Sequence, residues 1–413
     1  MISREIETKF LLQCLGLTKN EEININEITE KDWIQIGRRI FQHKIAPLVY
    51  QNFSQNKKLS QIPEVLAHDL RLEYFQCSLN NTRIYYELSE ILKSAKENNI
   101  PIIALKGAVL AGLVYPSYAL RPMEDMDLLI KPEDIRKAND MLVQLGWRCK
   151  VRDGLLEMIN QQGYDIGYVK GDILLDLHTA IRELPSSDYW GNSQRKNIAS
   201  LNMQILSYED MLMHLCLHIY RHLQTIILLG GLSIIELIKL YDIVLLLRKF
   251  RDEINWDYII RTGKDNNSED GLYTILNVVD RDLGEHIPND VLKELKIDGA
   301  DLPINNILYS DCKISKLVIF LISNKLTKHF AMTMALHNAF PEKYTTFWFI
   351  KFVFGSLFPN KEYMVKRYNI KHPSLFGFYY PYRLITAIWM FLKAIPSYVQ
   401  VYRRSMERHI SEN

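Results

Sequence analysis

Cysteine is scarce in this chain, with five among 413 residues. The five lie far apart, are odd in number and never show the Cys-x-x-Cys spacing. A disulfide framework needs several paired cysteines, and a structural zinc site needs clustered ligands. A disulfide-stabilised protein and a structural zinc protein are therefore both disfavoured. The sequence predicts a protein of the reducing cytoplasm. The five residues are Cys14, Cys77, Cys149, Cys216 and Cys312.

Turn-forming residues and long apolar runs are also few. Glycine and proline number 18 and 14, which favours a mostly helical chain with few tight turns. No uncharged apolar run approaches the ~20 residues of a membrane span. The nearest candidate, 384–392, is bounded by Arg383 and Lys393. The N-terminus lacks the apolar core of a signal peptide, so we expect neither a leader nor a transmembrane segment.

Apolar residues are plentiful at 48%, enough for a sizeable core in two or three domains. The net charge is +2, but residues 313–413 carry 15 Lys/Arg against 4 Asp/Glu. Residues 340–402 also hold 19 of the 45 aromatic side chains. Basic residues among aromatics permit binding of nucleic acid, an anionic peptide or a membrane surface. The helical spacing of the aromatics favours a helical lid instead, so nucleic acid is not the favoured partner.

Apolar patterning places a compact α/β segment in the middle of the chain. It predicts strands at 102–105, 126–130, 147–151, 165–169 and 173–178, with helices at 107–114 and 132–145. Helical patterns flank this segment, including one at 32–41 capped by Asp32 and one at 66–98. A capping box at 207–210 precedes a further apolar run, and later helices are expected at 237–250 and 256–264.

The sequence therefore predicts an α+β fold, with a small mixed β-sheet core embedded in a predominantly α-helical chain. We divide the chain into four regions. They are an N-terminal helical region (1–100), the α/β core (101–180), a helical domain (181–312) and a basic, aromatic-rich helical C-terminal region (313–413).

Two aspartates in the second predicted strand carry the strongest chemical signal. Asp125 and Asp127 project from one face because a strand has a period of two. Two like charges side by side are costly to bury without a counter-ion. Carboxylate oxygens are hard ligands, suited to Mg²⁺ that holds a substrate phosphate. The pair therefore predicts a metal site.

A third aspartate, Asp176, lies in another short strand and shares its face with His178. If this strand pairs beside the first, three carboxylates converge on one patch. That arrangement suits phosphoryl or nucleotidyl transfer, with Asp176 as a metal ligand or as general base for the acceptor. His178 would lie beside the bound donor, or would simply be a hydrogen-bonded histidine at a strand end.

Three residues upstream of the aspartates are candidate phosphate ligands. Gly107 opens a helix, and a helix N-terminus offers N–H groups and a favourable dipole to an anion. Lys106 adds a positive charge, and Arg121 could fork onto a phosphate. The competing interpretations are a snorkelling lysine and an ordinary arginine salt bridge.

His214, His218 and His222 repeat every four residues and share one face of a predicted helix. Three ligands from one straight helix cannot converge on one ion, so this repeat does not predict a zinc site. His218 and His222 are candidates for lining the cleft opposite the sheet.

At these motifs the chain resembles the nucleotidyltransferase superfamily of polymerase-β-like fold. It is most similar to a branch of bacterial uncharacterised nucleotidyltransferases, also found in peptide-modification gene clusters. The superfamily usually has Gly-Ser at the start of the helix, whereas this chain has Gly107-Ala108. The motifs that carry the resemblance are Leu105-Lys106-Gly107, Tyr115-Pro116, Arg121-Pro122, Asp125-Met126-Asp127-Leu128-Leu129 and Asp176-Leu177-His178, with a weaker likeness at Tyr241-Asp242.

The resemblance implies a nucleotidyltransferase core that uses Mg²⁺ or Mn²⁺. The enzyme would move a nucleoside monophosphate from a nucleoside triphosphate to a hydroxyl or phosphate of a peptide or small-molecule acceptor. The three aspartates would be catalytic and hold the metal. The donor-binding residues would be Lys106, Gly107, Arg121 and His178.

Two alternatives remain open at this point. In the first, the donor is a nucleotide sugar and the same metal site supports glycosyl transfer to a peptide or phosphopeptide. In the second, the protein keeps the fold and binds nucleotide without catalysis. Neither the base of the nucleotide nor the oligomeric state follows from the sequence.

Overall fold

The computed structural model describes residues 4–17, 23–25, 28–151, 165–228 and 235–296, with four single residues besides (Leu156, Asn160, Ile304 and Leu308). The described residues before Gln224 and after Ile234 belong to one compact unit. The basic, aromatic-rich C-terminal region predicted at 313–413 lies outside the described residues. The division into four regions stays a prediction.

The N-terminal part is helical, as predicted. Its helices are α1 (Arg4–Cys14), α2 (Glu30–Gln42), α3 (Ala46–Gln55) and α4 (Glu64–Glu97). The N-cap of α2 is Thr29 and not the predicted Asp32. The Thr29 hydroxyl donates to Asp32 Oδ2 at 2.6 Å and accepts from the Asp32 N–H. Asp32 therefore lies at the third position of the helix, in its first turn, and its carboxylate accepts from the capping hydroxyl.

A seven-stranded mixed sheet forms the core, which confirms the α+β fold class. The strand order is β3-β4-β5-β2-β1-β7-β6. The central strand β2 pairs with β1 antiparallel and with β5 parallel. The strands are β1 (Ile102–Ala104), β2 (Asp125–Ile130), β3 (Arg148–Cys149), β4 (Ile166–Lys170), β5 (Ile173–His178), β6 (Gln194–Ile198) and β7 (Leu201–Ile205).

Two of these strands were not predicted. β6 and β7 form an antiparallel hairpin, and β7 adds to the sheet beside β1. β6 is one of the two edge strands and reads Gln-Arg-Lys-Asn-Ile. Its four polar residues give no apolar pattern. β3 is shorter than the segment predicted at 147–151, because only Arg148 and Cys149 pair with β4.

Helices lie between several of these strands in the chain and follow the last of them. α5 (Lys106–Leu113) joins β1 to the loop before β2, and α6 (Ile135–Gln144) follows β2. The predicted capping box precedes α7 (Tyr208–Leu228), since the Asp210 N–H donates to Ser207 Oγ at 3.1 Å. Within the described ranges, no helix is both long and apolar enough for a membrane crossing. The later helices are α7 (Tyr208–Leu228), α8 (Leu237–Phe250), α9 (Trp256–Asp265), α10 (Glu269–Leu283) and α11 (Asn289–Leu295).

The loop between α5 and β2 is held by side-chain amides of α4. Asn81 Nδ2 donates to the carbonyls of Tyr118 at 2.5 Å and Arg121 at 2.9 Å. Asn80 Nδ2 donates to the carbonyl of Met123 at 2.8 Å. These bonds fix the segment that leads directly into Asp125, so α4 sets where β2 begins.

Candidate active site

The three predicted carboxylates lie on neighbouring strands. Asp127 of β2 is the register partner of Asp176 of β5, and Asp125 precedes Asp127 by two residues. Register partners in a sheet share a face, so all three side chains project to the same side. Asp127 is buried, whereas Asp125 and Asp176 are half-buried. The strand pairing that the sequence analysis required is therefore present.

Two cationic groups converge on the middle carboxylate. Lys106 Nζ lies 2.8 Å from Asp127 Oδ1, and His178 Nε2 lies 2.8 Å from the same oxygen. Burial alone would raise the pKa of Asp127, but the lysine and the histidine reverse this and hold the pKa well below its usual range. Both bonds use Oδ1, so neither occupies Oδ2. Asp127 is therefore ionised and has one oxygen outside these bonds.

His178 has a second acidic partner that sequence analysis missed. Its Nδ1 lies 2.7 Å from Asp165 Oδ1, at the start of β4. Burial lowers the pKa of His178, but its bonds to Asp127 and Asp165 outweigh this and raise the pKa to about 9. The imidazole is therefore protonated at neutral pH. The β4–β5 hairpin pairs Ile166 with Leu177, and this register would have placed Asp165 opposite His178.

Nearby cations only partly offset the effects that raise the pKa of the outer two carboxylates. Burial and the nearby Asp127 raise the pKa of Asp125, and the same two causes raise the pKa of Asp176. Lys106 partly offsets the effect at Asp125. A group that is harder to ionise because of its acidic neighbours is one that an added cation would stabilise. The charge distribution would thus favour the binding of a cation beside these residues.

The carboxylates of the site are suited to a metal ion that is bound together with a substrate. Within the parts of the chain that the structure describes, no three His, Cys, Asp or Glu side chains are arranged to hold a metal ion. Mg²⁺, however, is commonly bound by one or two carboxylates together with substrate phosphates and water. Asp125 and Asp127 supply two such oxygen donors. The metal roles of the three aspartates stay predictions.

The backbone at the start of α5 is unusual. Lys106 has a φ of 45°, in the left-handed region that non-glycine residues rarely adopt. The residue before it, Leu105, donates its N–H to the carbonyl of Asp127 at 3.0 Å. This extension of the β1–β2 ladder brings Lys106 next to the aspartates. The sharp turn then allows the Lys106 side chain to reach Asp127.

The close approach of Arg121 requires a residue without a side chain at position 107. A Cβ at Gly107 would lie 2.5 Å from Arg121 Nη1 and 3.2 Å from Met123 Cγ. The glycine therefore allows the guanidinium to lie against the first turn of α5. The proposed phosphate contact of the Gly107 N–H stays a prediction.

Arg121 is occupied by an ion pair. Its Nη2 lies 2.7 Å from Asp242 Oδ2, its Nε donates to Oδ1 at 3.3 Å, and its Nη1 donates to the carbonyl of Pro122 at 3.1 Å. Tyr115 donates its hydroxyl to the same Asp242 carboxylate at 2.7 Å. Asp242 is buried, and the Arg121 side chain is only 13% exposed. The predicted fork onto a phosphate is therefore untested, and the structure gives this guanidinium a different partner.

The histidine repeat of α7 lies near the site but forms no metal centre. The rings of His218 and His222 are 4.5 Å apart, and those of His214 and His218 are 5.9 Å apart. Burial lowers the pKa of His214 to about 3 and that of His222 to about 4, so both rings are neutral. The charges of Lys106 and His178 also act on His214. The repeat therefore lies within electrostatic reach of the aspartates.

The carboxylate of Glu183 lies beside the first two histidines of this repeat. Arg221 Nη1 lies 2.8 Å from Glu183 Oε1, while the nearest nitrogens of His214 and His218 lie 3.8 Å and 3.9 Å away. Neither ring nitrogen of His214 has a hydrogen-bond partner among the described residues. Burial lowers the pKa of all three histidines, so among these neighbours Arg221 is the cation that pairs with Glu183. Lining of an acceptor cleft by His218 and His222 stays a prediction.

The central strand of the mixed sheet carries two aspartates, the adjoining strand carries a third, and a lysine lies at the preceding turn. This is the arrangement expected of a nucleotidyltransferase core. The chain matches the model of a family described as uncharacterised nucleotidyltransferase over residues 29–284, more than half of its length. It therefore belongs to that nucleotidyltransferase family, which confirms the predicted resemblance. The matched range contains every residue of the site. No curated protein matches this chain.

Three solved structures are similar at low identity. The solution structure of the antibiotic-resistance factor ANT(2″)-Ia is 17% identical over 51% of this chain and 100% of that one, with a TM-score of 0.32. Its crystal structure with adenylyl-2″-tobramycin is 16% identical over 46% and 98%, with a TM-score of 0.31. An antigenic nucleotidyltransferase-like protein from Paracoccidioides brasiliensis is 18% identical over 54% and 94%, with a TM-score of 0.31. Scores this low transfer no activity to this chain.

Proposed function

We propose that this protein is a Mg²⁺- or Mn²⁺-dependent nucleotidyltransferase. It would move a nucleoside monophosphate from a nucleoside triphosphate to a hydroxyl or phosphate of a peptide or small-molecule acceptor. The observation that carries the proposal is the register of Asp127 with Asp176, with Asp125 on the same face. A bound divalent ion would neutralise this acidic group, orient the triphosphate and withdraw charge from its α-phosphate.

The donor would be held by residues on both sides of Asp127. Asp125 and Asp127 are the carboxylates best placed to hold the metal with the donor. Lys106, already 2.8 Å from Asp127, would place its positive charge beside the phosphates. The N–H groups at the start of α5, including that of Gly107, would add donors and a favourable dipole. Protonated His178 would balance the remaining negative charge.

Asp176 is the proposed general base. Burial and Asp127 raise its pKa, so it accepts a proton more readily than an ordinary carboxylate. It would take the proton of the acceptor hydroxyl as that oxygen bonds to the α-phosphorus. The bond from the α-phosphorus to the oxygen that bridges to the β-phosphate would then break. The leaving group is pyrophosphate.

Glycosyl transfer is the second candidate, favoured by one feature of α5. Ala108 follows Gly107, so the serine hydroxyl that usually contacts a phosphate in the superfamily is missing, and the Ala108 side chain is fully buried. A donor with fewer phosphates to hold, such as a nucleotide sugar, would suit this site. The acceptor oxygen would bond to the anomeric carbon, the carbon–oxygen bond to the diphosphate would break, and nucleoside diphosphate would leave.

The test incubates the protein with Mg²⁺ and either α-labelled nucleoside triphosphates or nucleotide sugars, with peptide and small-molecule candidates as acceptors. Pyrophosphate release with a labelled acceptor supports nucleotidyl transfer, whereas nucleoside diphosphate release supports glycosyl transfer. Asp125→Ala and Asp127→Ala should each abolish product formation. Asp140→Ala, on the exposed surface of α6, is the matched control and should retain it.

A measurement of nucleotide binding tests the alternative in which the protein binds nucleotide without catalysis. Mg²⁺–nucleotide should raise the melting temperature of the parent protein, because a ligand that binds only the folded state stabilises it. The Asp125→Ala and Asp127→Ala variants should lose most of this increase. If the parent shows the increase but forms no product with any donor, the protein binds nucleotide without catalysis. If both variants keep the increase, the metal site is wrongly assigned.

A further inference from the structure

The long helix α4 carries a stripe of apolar side chains that face solvent. Their exposed fractions are 45% or more, high for large apolar residues on one helix. Four of the five repeat every seven residues, so they share a face over three heptads. The opposite face of α4 is buried and holds the loop before β2. The stripe consists of Val65 (74%), Leu72 (45%), Phe75 (52%), Leu79 (65%) and Tyr86 (64%).

The spacing of the stripe is symmetric about its centre. Val65 and Tyr86 lie equally far from a midpoint between Phe75 and Gln76, and so do Leu72 and Leu79. A second copy of α4 related by a twofold axis at this midpoint, and running antiparallel, would place Val65 opposite Tyr86 and Leu72 opposite Leu79. Phe75 of each copy would lie next to the axis, opposite Gln76 of the other copy. A twofold interface requires this kind of self-complementarity.

Charge complementarity also favours the antiparallel arrangement. Asp69 and Arg83 are exposed beside the stripe, near its two ends. In the antiparallel pair each Asp69 would lie near Arg83 of the other copy. In a parallel pair Asp69 would meet Asp69 and Arg83 would meet Arg83, and like charges would repel. Arg83 also pairs with the exposed Asp172, so it is held at the surface.

A groove at one end of the stripe fits the residue that the symmetry would bring there. It lies between α2 and α4, has a volume of about 620 Å³ and is lined by Trp33, Phe41 and Val65 among others. The antiparallel pairing would bring Tyr86 of the second copy next to Val65 and therefore to this groove. A tyrosine ring suits an apolar groove with a polar rim, since Glu30 and Arg38 also line it.

We propose that the exposed stripe of α4, from Val65 to Tyr86, is a homodimer interface in which two copies of this helix pack antiparallel about a twofold axis between Phe75 and Gln76. The proposal does not depend on the activity of the site.

Light scattering coupled to size-exclusion chromatography on the full chain tests the proposal. The parent should have the mass of two chains at micromolar concentration. Leu79→Glu, at a position too exposed to disturb folding, should raise the dissociation constant roughly tenfold or more. Val143→Glu is the matched control, because Val143 is 52% exposed on α6, away from the stripe, and should leave the dimer intact. A monomeric parent, or a dimer unaffected by Leu79→Glu, would overturn the proposal.

Two further variants test the orientation of the helices. Gln76→Cys places a thiol next to the proposed axis, so mild oxidation should give a covalent dimer that Val143→Cys does not give. Asp69→Arg should weaken dimerisation, and adding Arg83→Asp should restore it. A parent dimer that neither crosslinks through residue 76 nor responds to the two charge changes would show that another surface forms the interface.

Discussion

Asp127 and His178 are joined by a hydrogen bond of 2.8 Å between Oδ1 and Nε2, although 51 residues separate them. The bond ties the central strand β2 to its neighbour β5. Because the imidazole also bonds Asp165, it stands between two carboxylates and keeps its proton. A histidine that is charged at neutral pH is thus part of the folded structure of the site.

This bond predicts a specific dependence of stability on pH. The pKa of His178 is about 9 in the folded protein and about 6.5 in the unfolded chain. The contribution of protonated His178 to the free energy of unfolding is therefore complete below pH 6.5 and is lost as the pH rises through 9. A difference of this size corresponds to about 3 kcal/mol. Urea unfolding of the parent and of His178→Gln, both without metal, should show the difference between them shrinking from pH 6.5 to 9.

His43, His214 and His222 do not obscure this window. Burial lowers the pKa of each to between about 3 and about 4, so they affect stability only below pH 6.5. A constant difference between parent and variant from pH 6.5 to 9 would contradict the charged state assigned to His178.

Asp176→Asn should separate chemistry from donor binding. The amide cannot accept the proton of the acceptor, so we expect kcat to fall roughly 10²- to 10⁴-fold. The two carboxylates of β2 remain, so the thermal shift with Mg²⁺–nucleotide should change little. Asp172→Asn is the matched control, since Asp172 is exposed four residues earlier and should keep full activity. Loss of nucleotide binding in Asp176→Asn would instead make this residue a donor or metal ligand.

The buried pair of Arg121 and Asp242 predicts a large loss of stability. Asp242→Ala leaves a buried guanidinium without its carboxylate, which should cost about 3–5 kcal/mol of unfolding free energy. Arg121→Met with Asp242→Leu should recover part of this loss, because neither charge then remains. Arg83→Met breaks the exposed pair with Asp172 and should cost about 1 kcal/mol or less. Urea denaturation of the four proteins measures each value.

Gly107→Ala tests the close approach of Arg121 to α5. The new methyl group would displace a guanidinium held by Asp242 and Pro122, and we expect a loss of about 1–3 kcal/mol. Gly37→Ala is the control, because its Cβ would meet only the end of the Leu66 side chain, at 3.3 Å, inside α2. That variant should be neutral or gain up to about 1 kcal/mol from helix propensity. Equal effects at the two positions would argue against the assigned contact.

Local patterns predicted the acidic part of the site. The period of two in β2 and β5 was enough to place Asp125 with Asp127 and Asp176 with His178, because alternation is a property of any strand. The α/β order around them also followed from patterning. Pairing of the two strands does not follow from local patterns, since parallel partners depend on contacts distant in the chain.

Partners across long sequence distances could not be predicted. Arg121 and Asp242 are 121 residues apart, and nothing in either local sequence indicates the other. The contact between Asp165 and His178 could have been predicted, because the register of the β4–β5 hairpin places Asp165 opposite His178. The edge strand β6 escaped detection because its polar residues show no apolar period.

The amide groups of Asn80 and Asn81 link the geometry of the site to a helix that contributes none of its proposed ligands. Their three bonds to the carbonyls of Tyr118, Arg121 and Met123 replace the ladder that a regular strand would provide. A change in α4 that shifts or rotates these amides would therefore move the entry into β2 and the spacing of its carboxylates. Loss of activity after a substitution far upstream of the aspartates need not indicate unfolding.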